Sequence, residues 1–300
     1  MKKKFVFLGD VDSINIELIH KSHKKLKDKV KYILFGNIAD LSKYLKLLKS
    51  DLKINEIYDP INFHNYNKNN LNIFNIENTH IEKYKKLINQ IDIVNQISSS
   101  SGIDLVTLPI NKSIFKKNLE FNGMTEFLAK INNVKTTMLM HGEKFSIIPL
   151  TTHINLKYVN NLIKKRFLKE SLDKILNQIN NKIYNLKFKN IKFLCFNPHC
   201  SENNTLGFED TIIKNNISSY KKISGPYAAD SAFKVLDKKS LFISMYHDQA
   251  LIPFKILNKR GINLTLGLNY RRMSPAHGTA KNIKFQNIAD ITSYIACMEY

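Results

Sequence analysis

Glycine, cysteine and tryptophan are scarce in this chain of 300 residues, which contains 10 Gly, 3 Cys and no Trp. None of the glycines forms a GxGxxG or GxxxxGK[ST] pattern, and this disfavours a Rossmann dinucleotide site and a P-loop. The cysteines, Cys195, Cys200 and Cys297, are an odd set without a CxxC pair. They therefore argue against a disulfide framework and against a structural zinc knuckle.

Long apolar runs are also missing. The first apolar stretch, Phe5–Leu8, stops before Asp10, whereas a secretory leader needs about 7 to 15 apolar residues. No run approaches the roughly 18 residues of a membrane span. With 43% hydrophobic and 24% charged residues, the composition is that of a globular protein of one or two domains. We expect a cytoplasmic protein without a membrane partner.

Acidic side chains are few relative to basic ones: the chain contains 25 Asp and Glu but 46 Lys and Arg, which gives a formal net charge of +21. Such a charge attracts polyanions. The lysines, however, are spread along the whole chain, Arg is rare, and no RNP, helix-turn-helix or zinc-finger pattern is present. A nucleic-acid binder is therefore the minor alternative, and we expect anionic small substrates to be attracted instead.

Short apolar runs alternate with longer segments of helical period, which predicts an α/β fold with a largely parallel sheet. Helical periodicity is present in Ser42–Leu48 and Ile81–Ile97, and the long region Leu156–Leu186 predicts two helices. The predicted strands are Lys4–Leu8, Val30–Phe35, Leu71–Ile76, Asp104–Leu108, Lys135–Met140, Phe145–Leu150, Ile191–Phe196, Leu241–Met245 and Asn263–Leu266.

The domain organisation is less strongly marked in the sequence. Residues 59–79 are polar, Asn-rich and aperiodic, which is typical of a surface connection. We expect an interrupted first domain that comprises residues 1–110 and 240–300. The second domain is expected to comprise residues 111–239.

Three histidines each follow an apolar strand: His153 in FSIIPLTTH, His199 in IKFLCFNPH and His247 in LFISMYHD. The carboxyl ends of strands in open α/β sheets line the ligand crevice, so these imidazoles could converge there. Three neutral imidazoles with one open position form a catalytic divalent-metal site. The alternative is that each imidazole is simply hydrogen-bonded near a strand end.

The neighbours of these histidines carry further candidates. Asp248 adjoins His247 and is either a partner that fixes its tautomer, an acid or base, or the N-cap of a helix over Gln249–Ile256. Lys255 follows an apolar run, Asn263 lies in GINLTLGL, and Arg271-Arg272 is conspicuous among four Arg. Cations combined with an amide donor suit a phosphate or carboxylate group.

Eight ordered phrases resemble the 4-hydroxythreonine-4-phosphate dehydrogenases of vitamin B6 biosynthesis. The resemblance extends from GDVDSINIEL near the start to NIADITSYIA near the end. The phrases are LVTLPINK, NGMTEFLA, PLTTHINL, FNPHCSE, SGPYAADSAF, MYHDQALIPFK, INLTLGL and SPAHGTA.

The resemblance implies two α/β/α domains of the isocitrate and isopropylmalate dehydrogenase type, with the cleft at a homodimer interface. It implies NAD or NADP bound without a GxGxxG loop, and one divalent metal per subunit (Zn, Mg or Co). The metal ligands implied are His153, His199 and His247, drawn from both subunits.

The implied reaction is oxidation of the secondary alcohol of 4-phosphohydroxy-L-threonine, followed by loss of CO2 to give 3-amino-2-oxopropyl phosphate. The substrate contacts implied are Thr125, Lys255, Asn263 and Arg272. Our candidates for proton transfer are Asp230 and Asp248.

This chain departs from the family pattern at several positions. Met124 stands where the family usually has a substrate-contacting His, and Ala276 replaces an Asp. The turn after His199 reads Cys200-Ser201-Glu202 instead of A-G-E. A thioether cannot donate a hydrogen bond, so Met124 favours the alternative of another phosphorylated hydroxy acid, such as a four-carbon sugar acid. A catalytically weakened homologue or a binding protein that retains the fold is the remaining alternative.

Overall fold

The computed structural model describes residues 1–77, 82–115 and 123–300. These residues form two compact units. Unit 1 comprises Met1–Thr136 and Gly267–Tyr300, and unit 2 comprises Thr137–Leu266. Residues 111–136 and 240–266 thus belong to the other unit from the one expected. No helix among the described residues is both long and apolar enough to span a membrane.

The elements follow the alternation that the sequence indicates. The strands are β1 (Lys2–Phe7), β2 (Val30–Gly36), β3 (Ile54–Glu56), β4 (Leu71–Asn75), β5 (Asp104–Thr107), β6 (Thr137–His141), β7 (Ser146–Pro149), β8 (Asn190–Leu194), β9 (Ile223–Tyr227), β10 (Ser240–Ser244), β11 (Ile262–Leu266) and β12 (Arg272–Pro275). The α-helices are α1 (Asn15–Leu26), α2 (Ile38–Leu47), α3 (Lys83–Ser101), α4 (Met124–Ile131), α5 (Lys165–Ile179), α6 (Glu209–Ile217), α7 (Ala229–Ala232), α8 (His247–Leu257) and α9 (Thr292–Glu299). Short 3-10 helices cover Lys112–Ile114, Leu156–Tyr158, Asn160–Leu162, Lys182–Tyr184, Pro198–Glu202 and Lys281–Ile283.

Each unit has its own run of strands. In unit 1 the order is β3-β4-β2-β1-β5-β12, and every pairing is parallel. In unit 2 the order is β11-β6-β7-β10-β8-β9. Here β6 is antiparallel to both β11 and β7, whereas β7, β10, β8 and β9 are parallel. The sheet of unit 2 is therefore mixed, and its two chain ends, Thr137 and Leu266, are paired in register.

The predicted strands are confirmed to within two residues at each end, but three strands were not predicted. β9 contains Gly225-Pro226, a dipeptide that sequence patterns assign to a turn, and it lies last in the order, where Pro is tolerated. β12 begins at a charged residue, and β3 has only three residues.

The prediction of two helices over Leu156–Leu186 was wrong, because only α5 is an α-helix. The side chain of Asn155 accepts a hydrogen bond from the backbone N–H of Lys157, and Asn181 does the same for Ile183. Such local bonds compete with helix propagation and leave 3-10 turns on either side of α5. In the region predicted as Ile81–Ile97, α3 begins at Lys83, and Ile81 lies outside the described residues.

The core of unit 1 is rich in aromatic side chains from its central strands. Phe5, Phe7 and Phe35 are fully buried and pack with Leu128 of α4. Burying one such side chain contributes about 1.5–3 kcal/mol. This packing explains why α4 belongs to unit 1, and Met124 at its first turn lies partly buried against the same cluster.

A buried ion network in unit 1 joins β1, β5 and Arg271, the residue that precedes β12. The ammonium of Lys4 lies 3.2 Å from Asp104 Oδ2, and Arg271 Nε lies 2.7 Å from Asp104 Oδ1. Lys4 is fully buried, and this desolvation lowers the pKa of its ammonium group despite the Asp104 carboxylate. Asp104 therefore compensates two cations, one of which has no access to water.

We predict that Asp104→Ala lowers the free energy of unfolding by about 3–5 kcal/mol, because it leaves the Lys4 charge buried without its partner. Chemical denaturation of the variant measures the change. The control is Asp28→Ala, which removes an exposed pair with Lys68 and is expected to have little effect. Equal losses in the two variants would contradict the role assigned to Asp104.

Candidate active site

A cavity of about 240 Å³ opens in unit 2 where two parallel strands end. β7 and β10 are paired, and the segments after them are joined by hydrogen bonds from the backbone N–H and the hydroxyl of Thr151 to the carbonyl of Met245. The strand ends therefore lie at one edge, as the sequence predicts. The cavity is lined by Thr151, Thr152, His153, Ile154, Leu156, Val159, Tyr246, His247 and Asp248.

Two of the predicted metal ligands meet at this cavity. The ring centroids of His153 and His247 are 6.0 Å apart. His247 is the first residue of α8, and its Nδ1 lies 2.6 Å from Asp248 Oδ1. When Nδ1–H donates to this carboxylate, Nε2 carries the lone pair that can bind a metal.

The contact of Asp248 with His247 decides between two of the interpretations made from sequence. Tyr246 occupies the N-cap of α8, so the interpretation of Asp248 as a helix cap was wrong. Its side chain is largely exposed and faces the imidazole instead. Asp248 can therefore orient the imidazole of His247.

The third histidine follows β8, which pairs with β10 in parallel. His199 is exposed, and the six residues from His199 to Asn204 all have φ between +42° and +72°. Within residues 1–77, 82–115 and 123–300 of this one chain, no group of three or more His, Cys, Asp and Glu side chains could hold a metal ion. One chain thus brings together two of the three imidazoles.

The structure differs from the sequence analysis in the state of the cysteines. Cys195 and Cys200 form a disulfide with a Cα–Cα distance of 5.1 Å. The left-handed path after His199 returns Cys200 to the end of β8, a proximity that spacing alone does not reveal. Cys297 is a buried free thiol, and burial raises its pKa to about 12.

Two predicted substrate contacts of unit 1, Arg272 and Thr125, adjoin one another. Arg272 is buried at the start of β12 and donates from Nε to Thr107 Oγ1 (2.9 Å) and from Nη1 to Thr125 Oγ1 (3.3 Å). Desolvation lowers the pKa of this guanidinium to about 10. Thr107 was not named from sequence, although a polar residue that ends a strand in LVTLP is a usable signal.

The remaining candidates belong to unit 2. Lys255 is exposed on the last turn of α8, and Asp230 is exposed on the short helix α7. Asn263 lies in β11, and its buried Oδ1 accepts no hydrogen bond from the described residues. A buried amide oxygen without a donor is costly unless a ligand or water supplies one.

Comparison with known proteins gives one consistent family. Residues 28–300 match the sequence profile of the pyridoxal phosphate biosynthetic protein PdxA. The 4-hydroxythreonine-4-phosphate dehydrogenase of Aquifex aeolicus is 36% identical over 304 residues, which cover 96% of this chain and 93% of that protein. The enzyme of the same name from Sulfurihydrogenibium sp. is 30% identical over 316 residues, which cover 100% and 97%.

A solved structure shares the fold. The 4-hydroxythreonine-4-phosphate dehydrogenase from Klebsiella pneumoniae superposes with a TM-score of 0.82 at 23% sequence identity. The alignment covers 100% of this chain and 98% of that chain. At this level of identity the comparison supports the architecture, whereas the curated relatives carry the family assignment.

We predict that the unreduced, denatured protein presents one reactive thiol per chain, that of Cys297, and that reduction raises the number to three. The folded protein is expected to react slowly, because the Cys297 thiol is buried and protonated. A chromogenic thiol reagent measures these numbers. Three reactive thiols without reduction would contradict the Cys195–Cys200 bond, and Cys200→Ser provides a control in which Cys195 becomes free.

Proposed function

This chain belongs to the pyridoxal phosphate biosynthetic protein PdxA family, and we propose that it oxidises 4-phosphohydroxy-L-threonine with NAD or NADP. A bound NAD or NADP would accept the hydride from the carbinol carbon, and a carboxylate of this chain would accept the hydroxyl proton. The resulting 3-keto acid loses CO2 and gives 3-amino-2-oxopropyl phosphate, a precursor of pyridoxal 5'-phosphate. The observation that carries the proposal is the family match over residues 28–300, supported by the histidine pair at the cavity.

The residues present fit a divalent metal. Two imidazoles line one cavity, and Asp248 is bonded to His247 as a carboxylate commonly is to a metal-ligating histidine. We propose that His153, His199 and His247 are the ligands and that a homodimer completes the set with imidazoles from both subunits. A bound Zn, Co or Mg ion supplies positive charge that lowers the cost of negative charge developing on substrate oxygen.

We propose that Thr125, Lys255, Asn263 and Arg272 bind the phosphorylated substrate and that Lys255 and Arg272 anchor its phosphate group. Arg272 is held by hydroxyls, and its lowered pKa reflects a desolvation cost that a phosphate dianion would offset. The buried Oδ1 of Asn263 accepts no hydrogen bond from the described residues, and a bound substrate would supply the donor. Anchoring the phosphate lets binding energy away from the reacting carbon orient that carbon.

Proton transfer is assigned in the proposal to Asp230 and Asp248, since carboxylates can accept the hydroxyl proton and return it after decarboxylation. Both carboxylates are exposed in unit 2. The absence of a GxGxxG loop agrees with a family that binds its dinucleotide in another way. A biosynthetic enzyme of this kind acts in the cytoplasm, which is the location we propose.

A second candidate is supported by Met124. This side chain packs partly against the apolar cluster of unit 1, where the family pattern has a hydrogen-bonding His. A substrate with a different polar group near this position would not need that donor. A related dehydrogenase of a phosphorylated four-carbon sugar acid is therefore the alternative.

We predict that the purified protein, supplied with NAD and a divalent metal, forms NADH and CO2 from 4-phosphohydroxy-L-threonine. Substituting His247 by Ala is expected to weaken metal binding more than about 100-fold, because a direct ligand is lost. NADH absorbance and metal analysis provide the two measurements. His64→Ala, which alters an exposed histidine of unit 1, is the control. Turnover of a phosphorylated sugar acid alone would instead establish the second candidate.

We further predict that Met124→His raises kcat/KM for 4-phosphohydroxy-L-threonine roughly tenfold, because one substrate hydrogen bond contributes on the order of 1–3 kcal/mol. Steady-state kinetics with both substrates measure the effect. Met124→Leu keeps an apolar side chain and is expected to change nothing. An increase confined to the sugar acid would show that Met124 does not limit the proposed reaction.

A further inference from the structure

The loop that carries His199, here called the His199 loop (Asn197–Asn204), has an unusual backbone. Its residues from His199 onward follow one another in left-handed conformation, and they include Cys200, Ser201 and Glu202. L-residues with a Cβ rarely adopt this conformation, and usually only singly. A run of six such residues therefore depends on external contacts that hold it.

One buried carboxylate contacts the chain both before and after His199. Asp210 Oδ1 accepts the backbone N–H of Phe196 at 2.7 Å, and Oδ2 accepts that of Asn197 at 3.1 Å. The hydroxyl of Ser201, which is fully buried, donates to the same Oδ2 at 2.7 Å. Asp210 thus binds residues that precede His199 and a residue that follows it.

Asn197 makes further hydrogen bonds that hold the His199 loop against α6. The side-chain amide of Asn197 donates to Ser201 Oγ at 3.0 Å and to Glu209 Oε2 at 2.9 Å. Gly207 leaves the space for this second bond, because a Cβ there would lie 2.2 Å from Glu209 Oε2. Both acidic residues stand in the first turn of α6, where the helix dipole favours negative charge.

We infer that Asp210 is a positioning residue that holds the His199 imidazole in place for metal binding by fixing the backbone on both sides of it. The inference rests on the proposed function, in which His199 is a metal ligand. Asp210 is only 3% exposed, and its oxygens are engaged with the loop, so it acts through His199 and not on substrate. A carboxylate that orients a ligand contributes to metal affinity without touching the metal.

The test is Asp210→Asn, which keeps the size of the side chain but replaces one accepting oxygen by an amide that cannot accept an N–H. Binding of Co2+ to the full-length protein is followed by its absorption spectrum in competition with a chelator. The measurements contain reductant, so that the Cys195–Cys200 bond does not hold the loop in place of Asp210. The dissociation constant for Co2+ is expected to rise about 10–100-fold.

A double-mutant cycle separates positioning from general stabilisation. In a His199→Ala background, Asp210→Asn is expected to cause no further loss of Co2+ affinity, whereas a merely structural role would weaken binding equally in both backgrounds. Asp237→Asn is the matched control, because Asp237 also accepts a backbone N–H but is exposed. Ser201→Ala removes the bond that this hydroxyl donates to Asp210 and the bond that it accepts from Asn197, and it leaves the two backbone bonds of Asp210 in place. It is expected to raise the dissociation constant several-fold, which keeps the test available if Asp210→Asn does not fold.

The outcomes are distinct. Unchanged Co2+ affinity in Asp210→Asn and Ser201→Ala, with normal binding by the unsubstituted protein, overturns the inference and leaves the proposed function standing. Equal losses in the presence and absence of His199 also overturn it. Failure of the unsubstituted protein to bind Co2+ overturns the metal site itself, and the role of Asp210 with it.

Discussion

The parallel alignment of β7, β10 and β8 is the constraint on which the candidate active site depends. Each strand is followed at its carboxyl end by one of the three histidines. Because hydrogen bonding fixes the three strands side by side, the segments that follow them leave from one edge of the unit 2 sheet. The pairing of His153 with His247, and the contact of Asp248 with His247, are local consequences of this alignment.

The strand ends could be predicted from sequence because apolar runs followed by polar phrases are a local signal. The path of the chain after β8 could not be, since Cys200, Ser201 and Glu202 have no intrinsic preference for left-handed backbone. The contacts of that run come from residues distant in sequence, among them Asp210 on the following helix, which accepts the hydroxyl of Ser201. The disulfide escaped prediction for the same reason.

Domain boundaries and edge strands show a similar limit. Sequence periodicity places β10 and β11 correctly but does not reveal which neighbours they pair with, and pairing assigns both to unit 2. β12 begins with Arg272. In the sequence this charged residue is interpreted as a candidate for binding, and a strand is therefore not predicted there. The strand places this buried guanidinium beside the hydroxyls of Thr107 and Thr125.

The register between Thr137 and Leu266 has a consequence for synthesis on the ribosome. Unit 2 is one continuous segment inserted into unit 1, and its first and last residues, Thr137 and Leu266, are paired across neighbouring strands. The whole of unit 2 is therefore synthesised before residues 267–300. Unit 1 starts first but finishes last, because β12 and α9 arrive at the end. We therefore expect unit 2, which contains His153, His199 and His247, to be able to fold before Arg271 is synthesised. At that stage the ion network of Lys4 and Asp104 still lacks its third member.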